Sequence, residues 1–429
     1  MKKLAYVCLS CLIFVVSCKE KETSDGTMKM DIKPPTADKI AKNLEMHGDV
    51  RDDSYYWLND RENSEVIDYL ERENDYYDKM TAHTADFKTA LFEEMKSRIK
   101  EDDASVPYKN NGYWYYNRFE TGKDYPIMCR KKDSLSTDEI VVFDNNIMAD
   151  GHSYFNQAGY SVSEDNRIAA FGIDTVSRRQ YTIQFKNLET GELYPEKIEN
   201  TTGRAVWAND NKTVYYSRKD EETLRSNQIF KHVLGTNPDD DELVFEEKDE
   251  TFFSYVYKTK SKKYIVIGSS STLTSEFRFT DAMEGTAEFK IFQPRTRGLE
   301  YSIAHYEDHF YVMTNADGAT NFKLMKTLDS QTEKENWEDV IPHREEVLLE
   351  DVDIFKDFLV LSERSNGLNK IRVIRWDNTA DYYLPFDNET YTAYPTTNID
   401  FDTQVLRYAY NALNTPSSVI DFDMVTKEK

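Results

Sequence analysis

Few side chains in this 429-residue sequence have the type and spacing for chemistry, so each arrangement can be weighed by what a reaction would require of it. A serine nucleophile on a strand-to-helix elbow needs small residues on both sides, usually G-x-S-x-G, because the tight turn leaves no room for side chains. The nearest candidate is GSSST, Gly268 to Thr272; it lacks the second glycine and follows the apolar run KYIVI with no helical pattern after it. It reads as a sheet turn. Seven histidines, His47, His83, His152, His232, His305, His309 and His343, show no H-E-x-x-H or comparable metal-ligand spacing. His305 and His309 are four apart, but in a strand-turn-strand pattern that spacing does not put both rings on one face as it would on a helix. Surface or packing roles are expected for all seven. The acid run NPDDDE, Asn237 to Glu242, lacks the alternating ligands of a calcium loop and reads as a solvated hairpin tip. No glycine-rich phosphate cradle is present. The expectation is therefore no catalytic residue, no metal and no cofactor.

Composition bounds the partners. With 39% hydrophobic and 31% charged residues, 15 Gly and 11 Pro, the chain is a folded soluble polymer long enough for one large domain or two to three smaller ones. Its net charge of −24 argues against nucleic acid, which needs a basic surface, and would draw in a cationic ligand. Three of the four cysteines, Cys8, Cys11 and Cys18, crowd into MKKLAYVCLSCLIFVVSCKE, where Lys2 and Lys3 precede an apolar run too short to span a bilayer. Residues 1–18 read as a signal peptide, and VVSC resembles a bacterial lipobox with Cys18 as the acylated mature N-terminus. An uncleaved apolar anchor, or chance cysteines, is the alternative. Processing would leave Cys18 lipidated and Cys129 alone, with no internal disulfide, and would place the protein in the cell envelope, anchored to a bacterial membrane. Residues 19–36 have no apolar period and end in Pro34-Pro35, as expected of a solvated tether.

Residues 37–105 read as a helical extension. Val66, Leu70 and Tyr77 fall on one face of the first helix; Phe87, Leu91, Met95 and Ile99 recur four apart on the second, with Thr84 placed to cap it and Asp86 in its first turn. From about Val106 the period drops to two, so 106–429 is expected to be all-β. A strand, a polar turn and a second strand recur seven times, with turns at Asn111, Asp165, Asp210, Ser261, Glu307, Lys356 and Asp402, spaced 54, 45, 51, 46, 49 and 46 residues. Most of these inner pairs are followed by a second hairpin. Four-stranded units at that spacing match β-propeller blades, and seven units predict seven blades. Large rigid fillers suit wedge-shaped sheets packed face to face, and the chain holds 29 Tyr, 23 Phe and 5 Trp. A carbohydrate-binding aromatic platform is the functional rival, but the aromatics are spread over every repeat.

Several stretches carry a resemblance. DDSYYWLNDRENSEVIDYLERENDYYD resembles the N-terminal signature of the prolyl oligopeptidase family of serine peptidases, and VPYKNNGYWYYNRFETGKDYPIMCRKK and IFKHVLGTNPDDDELVFEEKDE are similar to its oligopeptidase B (protease II) branch. The similarity covers roughly Asp31 to Lys429. It implies a helical extension, a seven-bladed propeller, an α/β-hydrolase domain carrying Ser, Asp and His, and cleavage of short peptides after Arg or Lys, with the propeller as a size filter. The hydrolase domain is absent from this sequence, so the chain is expected to be inactive alone. Its expected partners are short basic peptides, guided by a negative channel, and a hydrolase domain from the same or a neighbouring gene product. A free-standing propeller that binds a protein or peptide without catalysis is the second reading.

Overall fold

The computed structural model describes residues 32–283 and 285–429. The expected signal segment, Cys18 and most of the expected tether lie outside the described residues. Two compact units divide at Lys100 and Glu101.

The first unit opens on a hairpin where a helical extension was expected: Asn43–Met46 pairs antiparallel with Asp49–Asp52. His47 and Gly48 turn it at φ 55° and 81°, the left-handed pair of a two-residue hairpin, where glycine meets no Cβ clash. Its strands are nearly all exposed, so they lack the apolar alternation that would have marked them. Helix α1, Ser64–Thr81, starts at Asn63, whose side chain accepts from the Glu65 amide at 2.9 Å. Helix α2 runs over Ala85–Ser97, with Asp86 in its first turn. Thr84 does not cap it; its hydroxyl donates to the Thr81 carbonyl at 2.7 Å. A 3-10 turn, Ala82–Thr84, joins the helices without the extended residue that aims a capping oxygen at the following amides. Of the expected apolar face only Val66 is buried, while Leu70, Tyr77, Phe87, Leu91, Met95 and Ile99 are exposed.

The second unit is a β-propeller of antiparallel sheets. Sheet A contains Tyr108–Asn110, Tyr113–Arg118, Ile127–Lys132 and Ile140–Asp144. Sheet B has seven strands between Asn156 and Glu246, sheets C, D and E four each within 253–291, 301–341 and 348–383, and sheet F three within 392–423. The expected count of seven four-stranded blades is therefore corrected: five sheets are separate blades, and the second and third repeats are merged in sheet B. The cause is Leu193–Trp207, a 15-residue strand. Its first part pairs with Tyr181–Asn187 as the outer strand of one repeat, and its last part pairs with Thr213–Lys219 as the inner strand of the next. Gly203, at φ 83°, and Gly172 sit so close that a Cβ on Gly172 would lie 2.3 Å from the Gly203 Cα. No other residue fits there.

Burial lies between consecutive sheets. Val142 and Phe143 of sheet A meet Ala169 and Phe171 of sheet B. Phe279, Phe292, Tyr301, Phe310 and Trp337 fill the C–D junction, and Phe358, Val373, Leu406 and Phe422 the E–F junction. Tyr264, Phe279, Phe292 and Phe310 pack with ring centroids 5.1 to 6.1 Å apart, each pair contributing about 1 kcal/mol beyond its buried area. The turns that the sequence spacing picked out line up at one end of the ring and are stitched in order. Asn111 Nδ2 donates to the Glu164 carbonyl, Asn209 Nδ2 to Lys262, Tyr306 hydroxyl to Lys356, and the Lys356 amide to Phe401. Arg407 then donates to the Pro107 carbonyl at 2.7 Å, closing sheet F on sheet A.

Candidate functional site

Ser261, in the inner turn of sheet C, shares a 2.9 Å hydrogen bond with His305 Nδ1 of sheet D. A serine nucleophile needs such a histidine, but it also needs a carboxylate on the other ring nitrogen and a ring basic enough to take a proton. Nε2 of His305 is buried without a partner. The ring is 3% exposed, wedged edge-on against Tyr264 and Phe310, and burial drives its pKa down to about 4. A base that weak, with no open face, pins two sheets together and takes no proton from a substrate-bound serine.

GSSST is equally committed to packing. Gly268 lies in the strand Tyr264–Ser270, where an added Cβ would come 2.5 Å from the Tyr255 ring, and fully buried Ser269 bonds the Ser254 hydroxyl at 3.0 Å. Ser270 ends that strand, and Ser271 and Thr272 begin the connection to the next, Ser275–Asp281. The acid run is not wholly solvated, which corrects the sequence reading. Asp241 is 2% exposed, accepting from the Tyr216 hydroxyl at 2.7 Å and lying 2.7 Å from Nδ1 of the buried His232. Asp239 and Asp240 stay in the 3-10 turn, so the tip is bolted to its sheet by its third aspartate. Cys129 is buried, and burial raises its thiol to about 11, so it carries no thiolate at neutral pH. Among the described residues no group of three or more His, Cys, Asp and Glu side chains gathers as a metal site, and no helix is long and apolar enough to cross a membrane.

The chemistry gathers at the turn end of the ring. A cavity of about 370 Å³ opens there, lined by residues of sheets A, B, C and F. Lys258, Lys260 and Lys262 alternate along the inner turn of sheet C and reach across non-neighbouring repeats. Lys258 and Lys262 both pair with Glu164 of the first repeat in sheet B, Lys262 at 2.8 Å. Lys260 pairs at 2.6 Å with Asp353 of sheet E and lies 3.6 Å above the Phe355 ring. Burial raises the Glu164 carboxyl, but hydrogen bonds from the two lysines outweigh it and hold it below the usual range. Burial lowers Lys258 and Lys260 and raises Asp353. Sequence reasoning passed over K-x-K-x-K at 258–262, although an alternating lysine triplet at an inner turn of an acidic chain was a legible signal.

The family described as prolyl oligopeptidase, N-terminal β-propeller domain, matches residues 34–429. The chain is 40% identical over 400 residues to dipeptidyl aminopeptidase BI of Pseudoxanthomonas mexicana, covering 89% of this chain and 55% of that protein. It is 33% identical to protease 2 of Moraxella lacunata, covering 93% and 58%. Oligopeptidase B from Leishmania major superposes with a TM-score of 0.87 at 27% identity, over 92% of this chain and 60% of that one; the enzyme from Trypanosoma brucei gives 0.85 at 27%, over 92% and 59%. The chain thus spans little more than half the length of these relatives.

Proposed function

The chain belongs to the prolyl oligopeptidase family, as its N-terminal β-propeller portion, and from that premise we propose that it gates an oligopeptidase B-like serine peptidase. The catalytic Ser, Asp and His would come from an α/β-hydrolase domain outside the described residues. The activity we assign to the assembled enzyme is hydrolysis of short peptides after Arg or Lys, with the ring excluding folded proteins from the site. The observation that carries this reading is the match of the helical unit and the whole ring, residues 34–429, to a domain of peptidases nearly twice as long. The exposed face of Phe87, Leu91 and Met95 on α2, continued by exposed Ile99 just beyond its end, supports it, since apolar surface of that extent marks a docking face, here for the hydrolase domain. Attachment through Cys18 to a membrane of the cell envelope, with residues 19–36 as a tether, completes the proposal.

Two measurements test it. The purified 429-residue chain should not turn over an Arg-arylamide substrate. Protein captured from the native cell by an antibody against the ring should carry Arg-arylamide hydrolysis that a serine-directed inhibitor abolishes. Native material without that activity would remove the peptidase reading and leave a propeller of the same fold.

A further inference from the structure

Two Asn-Gly pairs occur in the sequence, Asn111-Gly112 and Asn366-Gly367, and each forms the two-residue turn of a β-hairpin. Tyr108–Asn110 pairs with Tyr113–Arg118 across the first, in sheet A, and Phe358–Ser365 with Leu368–Arg375 across the second, in sheet E. Their backbones match: φ is 49° and 80° in the first turn and 51° and 76° in the second, the doubly left-handed geometry that Asn-Gly adopts most readily. The surroundings differ. Asn111 is half-buried; its Nδ2 donates to the Glu164 carbonyl at 2.7 Å, its own carbonyl accepts from Asn166 Nδ2 at 3.2 Å, and the Gly112 carbonyl accepts from the Asp133 amide at 2.8 Å. Asn366 and Gly367 are exposed at the tip of their hairpin, where a Cβ on Gly367 would meet nothing within 4 Å. Among the described residues no hydrogen bond holds the Asn366 side chain, the Asn366 carbonyl or the Gly367 amide.

We propose that Asn366 is a self-modification site, at which the hairpin tip of sheet E converts to aspartate and isoaspartate without an enzyme. The Gly367 backbone nitrogen attacks the Asn366 side-chain carbonyl carbon, the nitrogen's proton leaves with the amide group as ammonia, and a five-membered succinimide closes. Water then opens that ring. Breaking the bond to the side-chain carbon restores an ordinary peptide with aspartate, and breaking the bond to the backbone carbon leaves the chain running through the side chain as isoaspartate. The net exchange is one ammonia for one water, with no oxidation or reduction. Glycine leaves the attack room, having no side chain beside its nitrogen. Reaching the reactive geometry requires the turn to open, which costs Asn366 little, whereas Asn111 would give up the bond to Glu164 that ties sheet A to sheet B. Isoaspartate adds a methylene to the backbone, so a two-residue turn becomes too long for the Ser365–Leu368 pair and the end of sheet E loosens. The inference rests on the ring alone and stands or falls independently of the peptidase reading.

The experiment ages the purified chain at mildly alkaline pH in heavy-oxygen water and maps its tryptic peptides by mass spectrometry, the heavy oxygen separating ageing from reaction during digestion. Cleavage after Arg364 and Lys370 releases residues 365–370, and cleavage after Lys109 and Arg118 releases residues 110–118. Fragment ions locate the exchange within each peptide. Asn366 should react about tenfold faster than Asn111, or more, in the folded chain. Its product should split into two forms, of which isoaspartyl methyltransferase labels one. In urea, with both turns released, the two rates should converge. Asn366→Gln, whose longer side chain cannot close the five-membered ring, should abolish the exchange at residue 366 and leave Asn111 unchanged. Equal rates at the two asparagines in the folded chain, faster reaction at Asn111, or no exchange at Asn366 overturns the proposal. So does a gap that persists in urea, which would assign it to neighbouring sequence and not to the turn.

Discussion

Inside sheet B two repeats are joined by a single strand, Leu193–Trp207, and by the contact of Gly172 with Gly203, whereas sheets F and A meet through Arg407 on the Pro107 carbonyl and the looser Lys109–Asp400 pair. The first junction is made of backbone and leaves no room for adjustment. The second is made of long side chains and can relax. Chain order explains the difference: consecutive repeats can share a strand, but the first and last have no chain between them. A ring closed in this way should open, when it opens, at the F–A seam and not within sheet B.

Substitutions at the junctions break or sharpen this contrast. Gly172→Ala should have the largest effect, because the new Cβ meets backbone that cannot yield; we expect a loss of about 3 kcal/mol or more in urea unfolding. Arg407→Met removes a paired hydrogen bond to Asp421, at 2.6 and 2.8 Å, together with the bond to Pro107. A loss of about 2 kcal/mol is expected, with faster amide exchange at 108–115 and 392–400 but not in sheet B. Uniform exchange across the ring would show that the seam is not the weak point.

The C–D junction adds a dependence on pH. The His305 pKa is about 4 in the fold against an ordinary 6.5, so between those values the unfolded chain binds more protons than the native one. Its stabilising contribution is complete above about pH 6.5 and is lost as pH falls toward 4. His305→Gln should flatten the melting temperature across that window, and an unchanged slope would assign it to other groups. The smallest effect belongs to the exposed Lys356–Asp402 pair between sheets E and F: Lys356→Ala should leave the urea midpoint unmoved, because water and salt screen a surface pair of this kind.

The repeat was legible from the sequence because each inner turn interrupts a strict period of two with polar residues, and Asn111, Asp165, Asp210, Ser261, Glu307, Lys356 and Asp402 all fall in or beside the turns observed. The helices were legible from their period, with Asp86 correctly in a first turn. Three features were not. The Asn43–Asp52 hairpin has too little apolar surface to show alternation, Thr84 lost its capping role to the conformation of the preceding turn, and the merger of two repeats depends on a register shift within one strand. The candidate site was legible only as a lysine triplet at a turn, without its acids, which lie 93 to 98 residues away in sequence.

Periodicity, turn chemistry and aromatic content determined by themselves that residues from about 106 onward form repeated sheet units, since those signals act over a few residues and survive without context. The tertiary structure alone decided how many sheets separate, which residues close the ring, and where charge collects. Those outcomes depend on groups that meet only after the chain has gone round, when Glu164 and Asp353 arrive from either side on one turn of lysines.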